Sequence, residues 1–180
     1  SVLDVAIGNG VGILSTVRVG AQTPAELYAT GIQKDRAMTA SAPAGITTIE
    51  AVSVVIPAFN REHEISAALE SVFAQDYPAI EVIVVDDGSA DQTCRVVEGY
   101  GSRVKLIRQA NAGPGAARNR GVQASSGSIL MFLDSDDQWH PTRVRRQVAQ
   151  MTGEFGNVKC SWCNTRMTYS DGRVQTSFQA

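Results

Sequence analysis

Histidine and cysteine are scarce in this 180-residue chain: two histidines, His63 and His140, and three cysteines, Cys94, Cys160 and Cys163. An odd, low cysteine count argues against a disulfide framework and fits a reducing, cytoplasmic compartment. Cys160-Ser161-Trp162-Cys163 is a lone C-x-x-C, without the second cysteine pair or nearby histidines of a structural zinc site, and reads as two ordinary cysteines on or beside a strand. Basic residues are not in excess: 16 Lys and Arg stand against 18 Asp and Glu, a net charge of −2, which points away from a nucleic-acid partner. No apolar run approaches the roughly 20 residues of a membrane-spanning helix, and membrane association through segments outside this chain stays open. Residues 1–10 lack the basic and apolar regions of a signal peptide. What is present is 43% hydrophobic and 19% charged residues, the balance of a globular protein, at a length that suits one domain.

The chain begins without Met and stops at Ala180 after a strand-like stretch, which reads as a piece of something longer. Residues 1–50 are rich in Gly, Ala and Thr and weakly patterned, with short strands expected at 2–7 and 13–19 and a linker at 40–45. They read as an N-terminal segment without assigned chemistry, and 51–180 as the domain proper. From residue 51, strands and helices alternate. Val52 to Ile56 is a buried strand ended by Pro57. Asn60 is expected to cap the next helix, with Glu62 and Glu64 in its first turn and a core stripe of Ile65, Leu69, Val72 and Phe73. Residues 81–85 form a second strand, 91–100 a helix, 104–107 a third strand, 116–124 a helix and 129–133 a fourth strand. Pro141 opens a further helix with an inner stripe of Val144, Val148 and Met151. Residues 158–162 and 167–169 look like strands, and Ser170-Asp171-Gly172-Arg173 is a hairpin turn signal. Alternation with short connections implies an α/β fold, a mostly parallel sheet flanked by helices, with ligands beyond the carboxyl ends of the strands.

Each of those strand ends carries polar or flexible groups: Pro57, Ala58 and Asn60; then Asp86 and Asp87; then Asn111, Gly113 and Arg118; then Asp134, Asp136 and Asp137. A parallel sheet brings all four sets to one edge. If strand geometry persists, Asp134 and Asp136 project to one side and Asp137 to the other. Paired carboxylates repel, and a hard divalent cation removes the repulsion; Mg²⁺ or Mn²⁺ takes one or two carboxylates plus substrate phosphates. The pair therefore implies a metal, and the metal a phosphate-bearing ligand. Asp137 reads as a helix cap, or as cap and ligand both. In Asp86-Asp87-Gly88-Ser89 one aspartate can cap and the other face ligand, with Asp87 the better candidate to accept a base N–H. Gly113-Pro114-Gly115 gives a tight turn and an exposed helix N-terminus, from which Arg118 reaches toward a phosphate or base. Arg120 reads as a surface residue, Trp139 as packing beneath the metal loop, and His63 and His140 as surface or packing residues.

Val54-Val55-Ile56-Pro57-Ala58-Phe59-Asn60, Val84-Val85-Asp86-Asp87-Gly88-Ser89, the run from Gly113-Pro114-Gly115 through Arg118-Asn119-Arg120-Gly121, and Phe132-Leu133-Asp134-Ser135-Asp136-Asp137 occur in this order. Together they resemble the family 2 glycosyltransferases of the GT-A (Rossmann-like) fold, over residues 52–174. The resemblance implies a nucleotide-diphospho-sugar donor, usually a UDP-sugar, with Mn²⁺ or Mg²⁺. By position Pro57, Ala58, Asn60 and Glu62 would line the nucleotide site, Asp87 would read the uracil, and Arg118 would lie near the nucleotide. Asp134 would sit by ribose and metal, Ser135 within the donor site, and Asp136 on the metal at the diphosphate. Such enzymes typically invert the anomeric centre in one displacement, with a carboxylate base supplied by an acceptor-binding half well downstream of the D-x-D motif. That half is expected to be missing here, and the base to lie downstream of Ala180. No catalytic base is therefore assigned, and the acceptor (saccharide, lipid or protein) is unassigned too.

Three other readings compete. A haloacid dehalogenase-type phosphatase also places D-x-D after an apolar strand, but a small Thr or Val normally follows the second aspartate by two residues, where this chain has Gln138. A receiver-like domain leaves the cluster at 134–137 unexplained. A non-catalytic donor-binding module or truncated fragment is the serious alternative.

Overall fold

The computed structural model describes residues 16–18, 49–152, 160–161, 165–168 and 174–177. The expected strand at 2–7, the linker at 40–45, Cys163 and the turn at 170–173 lie outside them. So does Ala180, the point beyond which the catalytic base is expected. The strands and α-helices of the described residues follow in chain order: β1 (Thr16–Arg18), β2 (Val52–Ala58), α1 (Ile65–Phe73), β3 (Ile80–Asp86), α2 (Thr93–Glu98), β4 (Lys105–Arg108), α3 (Pro114–Ala124), β5 (Ile129–Phe132), α4 (Arg143–Thr152), β6 (Cys160–Ser161), β7 (Thr165–Thr168) and β8 (Val174–Ser177).

The main sheet has the order β4-β3-β2-β5-β1-β6, and β7 and β8 form a separate antiparallel pair. The four strands β4, β3, β2 and β5 are parallel, as their alternation with helices requires. β1 joins antiparallel to β5, with Val17 opposite Leu130, so part of the weakly patterned N-terminal segment is built into the same sheet.

β2 is buried along its whole length because helices cover both faces. Its even positions, Val52, Val54, Ile56 and Ala58, pack with Ile65, Leu69 and Val72 of α1, Val97 of α2 and Val144, Val148 and Met151 of α4. On the opposite face, Val55 packs with Val122 of α3, and Ile83 and Val85 of β3 pack with Ala117. Gly121 brings α3 close to the sheet: a Cβ there would lie 2.3 Å from Val55 Cγ1.

Two registers shape the carboxyl edge. β2 pairs with β3 as far as Ala58 and Asp86, but with β5 only as far as Val55 and Phe132. The Leu133 N–H still reaches the Val55 carbonyl at 3.1 Å, after which β5 ends. Pro57 shares Val55's side of the strand, so its missing N–H falls beyond the end of β5, where no ladder bond is lost. The gap so left, between the diverging ends of β2 and β5, is where strand order reverses, the usual ligand position in open α/β sheets.

Several local expectations are corrected. Asn60 does not cap α1: the helix begins at Ile65 behind Glu64, and Asn60 adopts a left-handed φ of 52°. Glu62 and Glu64 accordingly lie outside its first turn. Pro141 precedes α4 by two residues and its carbonyl accepts the Asp76 N–H. Asp137 does not cap α4 either, since the helix begins only at Arg143. The helix expected at 91–100 is shorter, Thr93–Glu98, with a 3₁₀ turn at Gly101–Arg103.

Candidate functional site

A cleft of about 680 Å³ opens at the carboxyl edge. Its walls come from Pro57 to Arg61 at the end of β2 and just beyond it, Asp87 after β3, Asn111 and Gly113 before α3 with Pro114, Ala117 and Arg118 at its start, and Asp134 to Asp136 after β5. Of the residues the sequence singled out, Pro57, Ala58, Asn60, Asp87, Arg118, Asp134, Ser135 and Asp136 all line this one cleft. Glu62 does not. Its Oε2 accepts the Gln92 N–H at 2.8 Å, which ties it to the neighbouring loop.

That tie is one of a set. Asn60 donates its N–H to Ser89 Oγ at 2.9 Å and accepts from the Ala90 N–H at 2.9 Å. The N–H of Arg61 donates to Thr93 Oγ1 at 2.7 Å, and that of Glu62 to Asp91 Oδ2 at 3.1 Å. The loops after β2 and β3 are thus zipped together. The left-handed turn at Asn60, which asparagine tolerates better than most residues, lets both its backbone and side chain join.

Asp87 is 3% exposed and organises the next loop. Its Oδ1 accepts from Gln109 Nε2 at 2.8 Å and from the Ala112 N–H at 2.9 Å, and its Oδ2 from the Gly113 N–H at 2.8 Å. A carboxylate accepts about four hydrogen bonds, so one position remains. Gly113, with a φ of 89°, then turns the chain into α3, where Pro114 occupies the first turn.

Residues 134–137 do not continue the strand. The Asp137 N–H donates to the Asp134 carbonyl at 3.0 Å, closing a turn that keeps all three carboxylates near one another. Burial first, then the charges of Asp134 and Asp136, push the Asp137 carboxyl above the usual range, with Arg143 opposing. Arg118 is 6% exposed and donates from Nη2 to Asp134 Oδ1 at 2.5 Å, so it supports the aspartate rather than standing free. Asp136 is 53% exposed at its side chain and faces Arg61 across 3.5 Å. Trp139 packs in the main core beneath this turn, its backbone N–H held by Ser71 Oγ at 3.0 Å and the Arg143 guanidinium 4.5 Å above its ring. His140 turns away to Thr142, and His63 is an exposed neighbour of Glu62.

Phe59, Arg61 and Ala117 line the cleft without a role assigned from sequence, and the first two bear on its chemistry. Phe59 is 45% exposed, one of two large apolar residues left in solvent among the described residues. Its place between Ala58 and Asn60 was the available signal. Arg61 was hidden because only the fold brings it opposite Asp136.

The donor set fits a hard divalent cation. Among the described residues no group of three or more His, Cys, Asp or Glu could hold a metal ion. A pair of carboxylates completed by water and phosphate oxygens is nevertheless what Mg²⁺ and Mn²⁺ accept. Asp136 is exposed in the cleft wall, and Asp134 commits Oδ1 to Arg118 and leaves Oδ2 for a ligand.

A parallel sheet with its cleft at the switch point, paired aspartates after one strand and a Gly-Pro-Gly helix entrance beside them, defines an α/β domain of the GT-A type. The profile of glycosyl transferase family 2 matches residues 53–176, and the chain belongs to that family. It is 43% identical over 138 residues to the succinoglycan biosynthesis protein ExoO of Rhizobium meliloti (strain 1021), covering 76% of this chain and 39% of that protein. It is 41% identical over 102 residues to the UDP-Glc:alpha-D-GlcNAc-diphosphoundecaprenol beta-1,3-glucosyltransferase WfgD of Escherichia coli, covering 56% of this chain and 40% of the relative. Among solved structures it is similar to S. aureus TarS 1-349 in complex with UDP-GlcNAc, at a TM-score of 0.54 and 36% identity, over 56% of this chain and 31% of that one. It is also similar to the mannosyltransferase PcManGT from Pyrobaculum calidifontis in complex with GDP-Man and Mn²⁺, at a TM-score of 0.55 and 27% identity, over 60% of this chain and 34% of that one. The chain spans well under half the length of the curated relatives it matches. Among the described residues no helix is long and apolar enough to cross a membrane.

Proposed function

We propose that the cleft binds a UDP-sugar with a divalent cation, and that the chain is the donor-binding part of an inverting glycosyltransferase acting in polysaccharide assembly. The observation that carries this reading is the gathering of four strand-end loops around one cleft, with Asp134 and Asp136 together in its wall. Uridine is the favoured base because one curated relative is named for UDP-Glc and one structural relative holds UDP-GlcNAc.

In this reading Phe59 offers its ring face to the base, and the remaining acceptor position of Asp87 takes a base N–H. Asp136 and Asp134 hold the cation at the diphosphate, with Arg118 fixing Asp134. When bound, the cation supplies Lewis-acid stabilisation of the departing diphosphate. Asp134 and Asp136 are committed to that cation and Asp87 to its loop and the base, which leaves none of the cleft carboxylates to deprotonate an acceptor hydroxyl. No base is assigned among the described residues.

The experiment is thermal melting of the chain with UDP, GDP, CDP and ADP, each with and without Mn²⁺. A ligand at 100 times its dissociation constant adds about 2.7 kcal/mol to the folded state. A shift with UDP that requires Mn²⁺ is expected. No shift with any nucleotide, on a cooperatively melting sample, contradicts the reading.

A further inference from the structure

Each D-x-D aspartate faces an arginine, and the two pairs differ in kind. Arg118 is 7% exposed at its side chain and 2.5 Å from Asp134. Arg61 is 40% exposed, and its Nη2 stands 3.5 Å from Asp136 Oδ2, at the limit of a hydrogen bond. Its second contact, from Nη1 to the Asn60 carbonyl, is 3.2 Å long. A pair this exposed and this long shifts an equilibrium by about five-fold at most. The backbone beneath it is held firmly, since the Arg61 N–H is bound to Thr93 Oγ1 and Thr93 is 0% exposed. The anchor is therefore fixed and the guanidinium is free to move.

Charge in the cleft gives that mobility a purpose. The ionisable groups of its lining are Arg61, Asp87, Arg118, Asp134 and Asp136, three carboxylates against two guanidiniums. Asp87 is engaged by the loop at 109–113 and Arg118 by Asp134. A diphosphate brings at least two further negative charges. Arg61 is the exposed cation of the described lining that can meet them, and guanidinium suits phosphate oxygens through paired N–H donors.

Resting on the donor-binding reading above, we infer that Arg61 is an exchangeable counter-charge. It neutralises Asp136 before a donor binds, and it moves to the diphosphate once a divalent cation takes its place on that carboxylate. Arg61 thereby competes with the cation alone and cooperates with cation and diphosphate together. It is a specificity residue for the diphosphate, and it has no part in recognising the nucleoside.

Opposite signs for two ligands make the test. Wild type and Arg61→Gln are titrated with Mn²⁺ alone, followed by the electron paramagnetic resonance of free Mn²⁺, then with UDP in saturating Mn²⁺, and with uridine. In the variant, Mn²⁺ alone is expected to bind about two- to five-fold tighter, UDP with Mn²⁺ at least about ten-fold weaker, and uridine unchanged. Unchanged Mn²⁺ affinity overturns the exchange, and unchanged UDP affinity overturns the diphosphate contact. Equal weakening of UDP and uridine shows that Arg61 shapes the nucleoside end, which also overturns the inference. If wild type binds neither Mn²⁺ nor UDP, the donor-binding reading itself fails and the inference falls with it.

Discussion

Arg118 of α3 and Asp134 of the turn after β5 form an ion pair 2.5 Å long in the cleft wall, with the arginine side chain 7% and the aspartate 30% exposed. The pair ties α3 to the turn that carries both D-x-D aspartates. Its two ends are unequal. Losing the carboxylate leaves a buried guanidinium uncompensated, whereas losing the guanidinium leaves a carboxylate that water can still reach.

Asp134→Ala is therefore expected to destabilise the fold by about 2–4 kcal/mol, and Arg118→Met, which keeps volume without charge, by clearly less. Urea denaturation of both variants measures the order. Equal losses would mean that the pair is held by packing rather than by charge.

The close approach of α3 has its own test. Gly121→Ala places a methyl 2.3 Å from Val55 Cγ1, so the helix must lift from the sheet, at about 1–3 kcal/mol. Adding Val55→Ala opens space for that methyl, and the double variant should lose less than the sum of the singles. Strict additivity would remove the contact from the account.

The strands and their gathering at one edge were legible because they follow from short-range patterns: β-branched apolar runs, helical stripes such as Ile65, Leu69 and Val72, and glycines between them. The roles of particular polar groups were not. Asn60 reads as a helix cap in sequence, but its partners are Ser89 and Ala90, about thirty residues away. Glu62, expected by position at the nucleotide site, accepts from the Gln92 N–H and is not among the cleft-lining residues. Asp134, Asp136 and Asp137 read as alternating along a strand, whereas the bond from the Asp137 N–H to the Asp134 carbonyl folds them into a turn. Each outcome depends on which loop lies opposite, and local sequence does not carry that.

At the far end of the sheet, Glu81 gives a pH-dependent test independent of any ligand. Burial, the largest influence, pushes its carboxyl up. Hydrogen bonds from Ser53 and from Ser126, aided by Lys105, outweigh it and hold the group below the ordinary 4.5. A carboxylate depressed in the fold stabilises above its unfolded value, and the contribution is lost as pH falls through the folded value. Glu81→Gln should thus lower the melting temperature at pH 7, and the gap to wild type should close on acidification below 4.5. A gap independent of pH would mean that the carboxylate's charge is not what the serines recognise.

In the proposed donor site, a Phe59 variant tests base stacking apart from phosphate binding. The residue is 45% exposed, so Phe59→Ala should leave stability within about 0.5 kcal/mol. Loss of the stacking surface should weaken UDP and uridine alike, by about 1–3 kcal/mol, the range found for base–aromatic stacking. Unchanged uridine affinity in titration calorimetry would place the base elsewhere.

The central claim is that Asp136 holds a divalent cation at the diphosphate of a nucleotide donor. Isothermal titration of UDP into wild type and Asp136→Asn, each with and without Mn²⁺, tests it most directly. The account predicts that Mn²⁺ tightens UDP binding in wild type, and that this dependence disappears in Asp136→Asn while its melting temperature without ligand is unchanged. UDP binding by Asp136→Asn that retains the wild-type response to Mn²⁺ would contradict it.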